Sequence, residues 1–135
     1  MSPRPAVLRT TNVVFDLVRN TIVGPGRDGI ALVTNTNTPG TGPTGHLRIW
    51  SNTVQPSGGV PLIDVVASGS GTSVCVDTMQ NSAPAIQLTQ GDGAVLAVPQ
   101  ANDAAINGTN VVGVVWVNGG LTYSATCDIS GFDVP

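Results

Sequence analysis

The single histidine of the chain lies in residues 46–50, which read HLRIW. A strand over this segment would place His46, Arg48 and Trp50 on the same face, because side chains alternate along a strand. A hydrolase needs a nucleophile held beside such a base. The chain has no Gly-x-Ser-x-Gly motif, and the Gly-Ser-Gly at 69–71 is typical of a loop. We therefore expect no catalytic role for His46 and no enzyme activity.

The eight acidic residues are all aspartates and are scattered singly along the chain. A glycosidase needs two carboxylates flanking one bond, and a calcium loop needs oxygen ligands at alternating positions. The sequence shows neither pattern. Cys75 and Cys127 lack the spacing of a zinc site. They could form a disulfide, but without an export signal the sequence favours two buried free thiols. We predict no metal and no cofactor.

Positive charge is scarce, because the chain has five arginines and no lysine. It has no GxxxxGK[ST] loop for phosphate, and its net charge of −3 opposes nucleic-acid binding, which depends on several cationic contacts. The five aromatic residues are too scattered for a base-stacking platform. No apolar run approaches the roughly 18 residues of a membrane span. We expect neither nucleic acid nor a membrane as a partner.

Trp50 is the aromatic residue that the strand pattern places most clearly outward. Three interpretations stay open: a partly covered edge residue, an anchor between subunits, or a surface on which a sugar ring stacks. Arg48 shares the same face. The two residues therefore mark an intersubunit or ligand surface as a hypothesis.

The composition predicts an all-β fold. Val, Ile and Thr make up 42 residues, and Lys and Glu are absent; β-branched side chains fit a pleated sheet better than a helix. Frequent turn residues between short apolar runs favour a compact antiparallel β-sandwich or β-barrel. We expect an extended N-terminal arm over residues 1–11, a single β domain over 12–135, and at most one short helix, within 99–110.

Two hairpins are predicted in the last third of the chain. The QGDG at 90–93 separates two apolar runs, and the Asn-Gly-Gly at 118–120 separates VVGVVWV from LTYSAT. Because VVGVVWV is apolar on both faces, it is typical of a buried strand. No repeat of fixed period is apparent.

Charge is distributed unevenly between the two halves of the chain. Residues 1–50 contain all five arginines and two aspartates, a net +3, whereas residues 51–135 contain six aspartates and no basic residue, a net −6. This asymmetry could be complementarity within one domain. Between copies it would favour head-to-tail contacts.

The Pro-containing N-terminal segment and the closing stretch, in which AVLAVP is followed by a short polar segment and VVGVVWV, resemble the head decoration (capsid cement) proteins of tailed bacteriophages. The resemblance implies a non-enzymatic virion protein, a small β-rich oligomer with a homotrimer favoured, which decorates and stabilises the capsid exterior. It also implies that residues 1–11 contact the major capsid protein, with Arg4 and Arg9 as polar and Val7 and Leu8 as apolar anchors.

Two other function classes remain open. One is a carbohydrate-binding or adhesive β-sandwich module, in which Trp50 and Tyr123 would stack on sugar. The other is a different virion subunit, from a tail or a coat, although a coat that lines a genome would be expected to carry positive charge.

Overall fold

The computed structural model describes residues 12–24, 28–35, 44–55 and 62–127. These residues form ten strands and one short helix, in the following order: β1 Asn12–Val18, β2 Thr21–Val23, β3 Asp28–Asn35, β4 Thr44–Trp50, β5 Thr53–Gln55, β6 Leu62–Ser68, β7 Ser73–Met79, β8 Ser82–Gly91, β9 Val95–Ala97, α1 Asp103–Thr109 and β10 Val111–Asn118. The predicted arm over residues 1–11, with Arg4, Val7, Leu8 and Arg9, lies outside the described residues.

Each strand from β1 to β8 pairs in parallel with a strand that follows about one coil later in the chain. Thr21 of β2 lies beside Thr53 of β5, and Thr53 lies beside Ser82 of β8. One sheet has the order β1-β4-β7-β9, and the other has the order β2-β5-β8-β6-β3, with β10 paired to β8. The chain therefore winds into a parallel β-solenoid.

Four successive coils make up this solenoid. The first is β1, β2 and β3, and the second is β4, β5 and β6. In the third coil β7 is followed by β8, which is long enough to pair with both β5 and β6. The fourth coil contains β9, α1 and β10.

The predicted antiparallel sandwich or barrel is wrong, although the all-β character and the single short helix are confirmed for the described residues. The alternation of side chains has a period of two in parallel and antiparallel sheets alike, so it carries no information on strand direction. Both predicted hairpins are also absent. β8 and β9 belong to different sheets, and Thr122 forms a parallel bridge to Ala97 instead of turning back onto β10.

The core is a column of apolar side chains stacked from coil to coil. Leu47 of β4 lies above Val76 of β7, and Ile63 of β6 lies above Ile86 of β8. All four side chains are buried. Such layers put like residues in contact along the axis and exclude water from the interior.

A ladder of four asparagines marks one corner of the solenoid. Asn20, Asn52, Asn81 and Asn110 follow one another at intervals of 32, 29 and 29 residues, and each carboxamide contacts the next. The residues before the first three, Arg19, Ser51 and Gln80, all have φ between 56° and 59°. Because this left-handed conformation is unfavourable for residues other than glycine, its recurrence shows one turn used in successive coils. The coils are thus structural repeats of similar but unequal length, which a search of the sequence for a fixed period does not detect.

The helix α1 replaces part of a strand in the fourth coil. The Asn102 side chain caps it by accepting a hydrogen bond from the Ala105 N–H at 2.9 Å. Ile106 is its buried residue. The Thr109 hydroxyl lies 3.4 Å from the Thr78 carbonyl of β7, so α1 packs beneath the end of that strand.

The strand β10 is not buried on both faces as predicted. Within the described residues it pairs only with β8, which leaves its other edge open. Val111 is 73 % exposed and Trp116 is 41 % exposed. The continuous apolar run VVGVVWV therefore forms the last strand of its sheet, and not a central strand with a neighbour on each side.

Candidate functional site

Arg48 and Trp50, the two residues proposed as an intersubunit or ligand surface, lie on the face of the β1-β4-β7-β9 sheet that points away from the core. Asp16, Arg48 and Asp77 occupy equivalent positions on β1, β4 and β7, one above the other. The alternate positions on β4, Leu47 and Ile49, point into the core. We call Asp16, Arg48, Trp50, Asp77 and Gln100 the outer cluster.

Arg48 is paired with Asp16 through two hydrogen bonds. Nε and one terminal nitrogen of the guanidinium donate to the two carboxylate oxygens at 2.7 and 2.5 Å. Arg48 is only 3 % exposed, whereas Asp16 remains accessible to water. These hydrogen bonds stabilise the ionised carboxylate and lower the pKa of Asp16 below its ordinary value.

One face of the Trp50 ring is covered by Arg48. The guanidinium carbon of Arg48 lies 4.9 Å from the centre of its ring, a cation–π contact. The register places Val18 and Met79 on either side of Trp50. Arg48 and Trp50 therefore lie on one face of β4 and contact each other.

Asp77 is the buried carboxylate of the outer cluster. Burial raises its pKa, and the Trp50 indole N–H, the Gln100 amide and Arg48 partly offset this effect. Gln100 Nε2 lies 3.4 Å from the Asp77 carboxylate and donates to the Thr78 carbonyl at 3.0 Å. Trp50 Nε1 is directed towards Asp77 but has no hydrogen bond of normal geometry in the described part of the chain.

A shallow depression of about 290 Å³ adjoins Asp77 and Gln100, between β7 and α1. Met79, Pro99, Ala105 and Thr109 complete its lining. A raised carboxyl pKa is one property of a general acid. Among the described residues, Asp77 is the one titratable group that lines the depression.

Among the described residues, no free nucleophile pairs with His46 across the sheet. Its register neighbours are Val14 on β1 and Cys75 on β7. Cys75 is bonded to Cys127, with the two Cα atoms 5.4 Å apart, so no thiolate is available there. The expectation of two free thiols is therefore wrong. It followed from an assumed reducing compartment, whereas the fold brings the two residues together across 52 positions of sequence.

No group of three His, Cys, Asp or Glu side chains converges within residues 12–127 where the structure is described. In the same residues, no helix has the length and apolarity needed to cross a membrane.

Trp116 is an exposed aromatic residue that the sequence reasoning missed. It projects from β10 beside Gln87 of β8, which in turn lies beside Asp64 of β6. The only signal in the sequence was a tryptophan, a residue with a polar indole N–H, in the middle of an aliphatic run.

Comparison with models of protein families, with curated proteins and with solved structures finds no match.

Proposed function

We propose that the chain is a non-enzymatic structural protein of a virion, which decorates and stabilises the outside of a phage capsid. The observation that carries this proposal is the pairing of Arg48 within the outer cluster: its guanidinium is hydrogen-bonded to Asp16 and lies over the Trp50 ring. Side chains that hold one another in this way suit a protein that acts by shape and rigidity.

Rigidity is supplied by the asparagine ladder and the disulfide. Asn52 and Asn81 are completely buried, and each carboxamide both donates and accepts hydrogen bonds. Buried polar networks with every group paired restrict a chain to one arrangement. A protein that holds capsid subunits in place benefits from such a fixed shape.

The disulfide supports an exterior location. Disulfides persist in oxidising surroundings and are rare where glutathione keeps thiols reduced. Cys75–Cys127 joins β7 to the segment that follows β10. A protein exposed on a released virion would keep this link.

The proposed partners are the major capsid protein and further copies of this chain. Residues 1–11, with Arg4, Val7, Leu8 and Arg9, are proposed as the capsid-contacting segment, in line with the resemblance to decoration proteins. Several copies in one oligomer would gain affinity through avidity once they engage the lattice together. The homotrimer stays a prediction.

A carbohydrate-binding role is the second candidate, and Trp116 is the observation that favours it. An exposed tryptophan beside the Gln87 amide, with Asp64 on the strand beyond, combines a ring for stacking with an amide that can bind hydroxyls. This surface lies on β10, β8 and β6 and not at Trp50, where Arg48 covers the ring.

Co-sedimentation with tailed-phage capsids stripped of their own decoration protein tests the proposal. We expect the chain to pellet with capsids, to be released when residues 1–11 are deleted, and to show no change in tryptophan fluorescence with neutral polysaccharides. A chain that ignores capsids but whose fluorescence changes with a polysaccharide, and stops changing in a Trp116→Ala variant, would favour the second candidate instead.

A further inference from the structure

The two ends of the solenoid differ in shape and in hydrogen bonding. We call the open side of β1, β2 and β3 the leading end, and the open edge of β10, with Val112 and Val115, the trailing end. At the leading end the ladder stops at Asn20, whose Oδ1 accepts no hydrogen bond from the described residues. At the trailing end Asn110 donates to carbonyls of α1, including that of Ile106 at 2.8 Å.

The leading end exposes the cross-section of the core. A cavity of about 420 Å³ opens there, and Leu17, Ile22 and Leu32 are among its lining residues. These three residues are only partly buried. Their register partners one coil deeper, Ile49, Val54 and Val65, are between 0 and 3 % exposed. A further layer on the leading end would bury apolar surface in the same way, which is favourable.

The trailing end offers a matching layer. Val112 and Val115 lie one coil beyond Ala83 and Ile86 and are partly buried against the core. β10 keeps one edge without a partner in the described residues. An unpaired strand edge is a template for pairing with another chain. In the other sheet, residues 122–125 exchange backbone hydrogen bonds with Leu96, Val98 and Gln100 and so cover the outer edge of β9.

Charge differs along the axis of the solenoid, because coils follow one another in chain order. Arg19 in the first coil and Arg48 in the second are the described arginines, and no basic residue follows Arg48. The third and fourth coils contribute only acidic groups, among them Asp92 and Asp103. In the first two coils these two arginines stand against three aspartates, and the third and fourth coils hold three more aspartates, so the described residues do not carry opposite charges at the two ends. The contact proposed below therefore rests on apolar burial and strand pairing.

We propose that the leading end binds the trailing end of a second copy of this chain. β2 and β3 belong to the same sheet as β8 and β10, so β10 of one copy and β2 and β3 of the next can continue one parallel sheet. The apolar residues around the leading cavity would then cover Val112 and Val115. This contact joins two different surfaces, so it is heterologous. The proposal does not depend on the capsid role.

Two end variants test this contact. Ile22→Asp disrupts the leading end and Val115→Asp the trailing end, while each variant keeps the other end intact. Light scattering should show that the wild-type mass rises with concentration. Each variant alone should remain monomeric. An equal mixture should have twice the mass of either variant, because one intact leading end and one intact trailing end remain.

Ser73→Asp is the control, since Ser73 is exposed on β7, in the third coil and away from both open ends; it should associate like the wild type. Circular dichroism must show that all variants fold, and Ile22→Ser with Val115→Ser replaces any aspartate variant that does not. A wild type that stays monomeric at all concentrations overturns the proposal. So does association that appears only after deletion of residues 1–11, or a mixture of variants that stays monomeric.

Discussion

Asn81 donates both its backbone N–H and its side-chain amide to Oδ1 of Asn110, at 3.0 and 2.9 Å. The same two bonds join Asn52 to Asn81 and Asn20 to Asn52. One carboxamide oxygen thus satisfies two donors of the coil before it. Because each step depends on the next coil lying directly alongside, the ladder holds the coils in register.

Asn81→Ala should therefore destabilise the fold strongly. The substitution leaves buried donors of Asn52 and the carbonyl of Ile49 without partners, and each unsatisfied buried group costs about 1–3 kcal/mol. We expect the free energy of unfolding in urea to fall by roughly 3 kcal/mol or more. Asn118→Ala removes an exposed carboxamide with one bond to Thr89 and should change little. Equal losses for the two variants would contradict the role of the ladder.

The ladder shows which part of the fold the sequence could reveal. Asparagines recur at intervals of 32, 29 and 29 residues, but an asparagine is also common in turns. The spacing of these asparagines is informative only when two other features are known. One is the strand that ends just before each asparagine, and the other is the residue between them, whose backbone is in the left-handed conformation. Alternation alone correctly oriented Leu47, Ile49 and Arg48 on β4, and could not give the direction of the neighbouring strand.

Reduction of Cys75–Cys127 should lower the free energy of unfolding by about 4 kcal/mol, because the bond closes a loop of 52 residues in the unfolded chain. A Cys75→Ala, Cys127→Ala double variant should show the same loss and be insensitive to reductant. Thiol titration of the unfolded, unreduced protein should find no free thiol; two free thiols would refute the disulfide.

Asp77→Asn should stabilise the protein at neutral pH. Burial raises the pKa of Asp77 from 3.8, so the folded state binds its proton more tightly than the unfolded state, and wild-type stability falls as the pH rises through that raised pKa. The amide removes a buried charge, with an expected gain on the order of 1 kcal/mol. Urea unfolding at several pH values should show this gain disappearing in acid. A gain that persists unchanged in acid would contradict the explanation.

Asp16→Asn should instead lower the free energy of unfolding at neutral pH. The hydrogen bonds from Arg48 lower the pKa of Asp16 below 3.8, so its contribution is present above that value and is lost as the pH falls through the lowered pKa. At neutral pH we expect a loss of about 1–2 kcal/mol, since buried Arg48 loses a charged partner that is itself exposed. The deficit should shrink in acid; a deficit independent of pH would point to a packing defect.

Tyr123 is the single tyrosine of the chain, so its titration can be read directly from tyrosinate absorbance. Its hydroxyl donates a hydrogen bond to the Asp103 carboxylate, which raises its pKa to about 12. Asp103→Asn should return the pKa towards 10, whereas Asp92→Asn should leave it unchanged. A wild-type pKa near 10 would show that the hydrogen bond is absent in solution.

Gly119→Ala should destabilise the turn after β10, while its neighbour Gly120→Ala should not. Gly119 has φ of +79°, and an added Cβ would lie 2.2 Å from the Gln90 carbonyl oxygen; at Gly120 no heavy atom lies within 4 Å of an added Cβ. We expect a loss of about 1–3 kcal/mol for Gly119→Ala and less than about 0.5 for Gly120→Ala. Thermal melts of the two variants compare them directly, and coincident melting curves would be inconsistent with this turn.

The surface residues were only partly predictable. The strand period placed Arg48 and Trp50 on the face opposite Leu47 and Ile49, but Arg48 is buried there. The contact between the two depends on side-chain geometry, and the pairing of Arg48 with Asp16 depends on a parallel neighbour 32 residues away. The sequence analysis assigned Trp116 to a buried strand, whereas the residue is exposed. An apolar run has the same sequence pattern whether or not a further strand covers it. The exposure of Trp116 follows from the place of β10 in the stack.

Capsid stability gives the most direct measurement. Stripped tailed-phage capsids are heated with a DNA-binding dye, with and without the purified protein, and the temperature of genome release is recorded. A decorating protein should raise this temperature in a saturable way, and a variant lacking residues 1–11 should not. An unchanged release temperature at saturating protein would contradict a capsid-stabilising role.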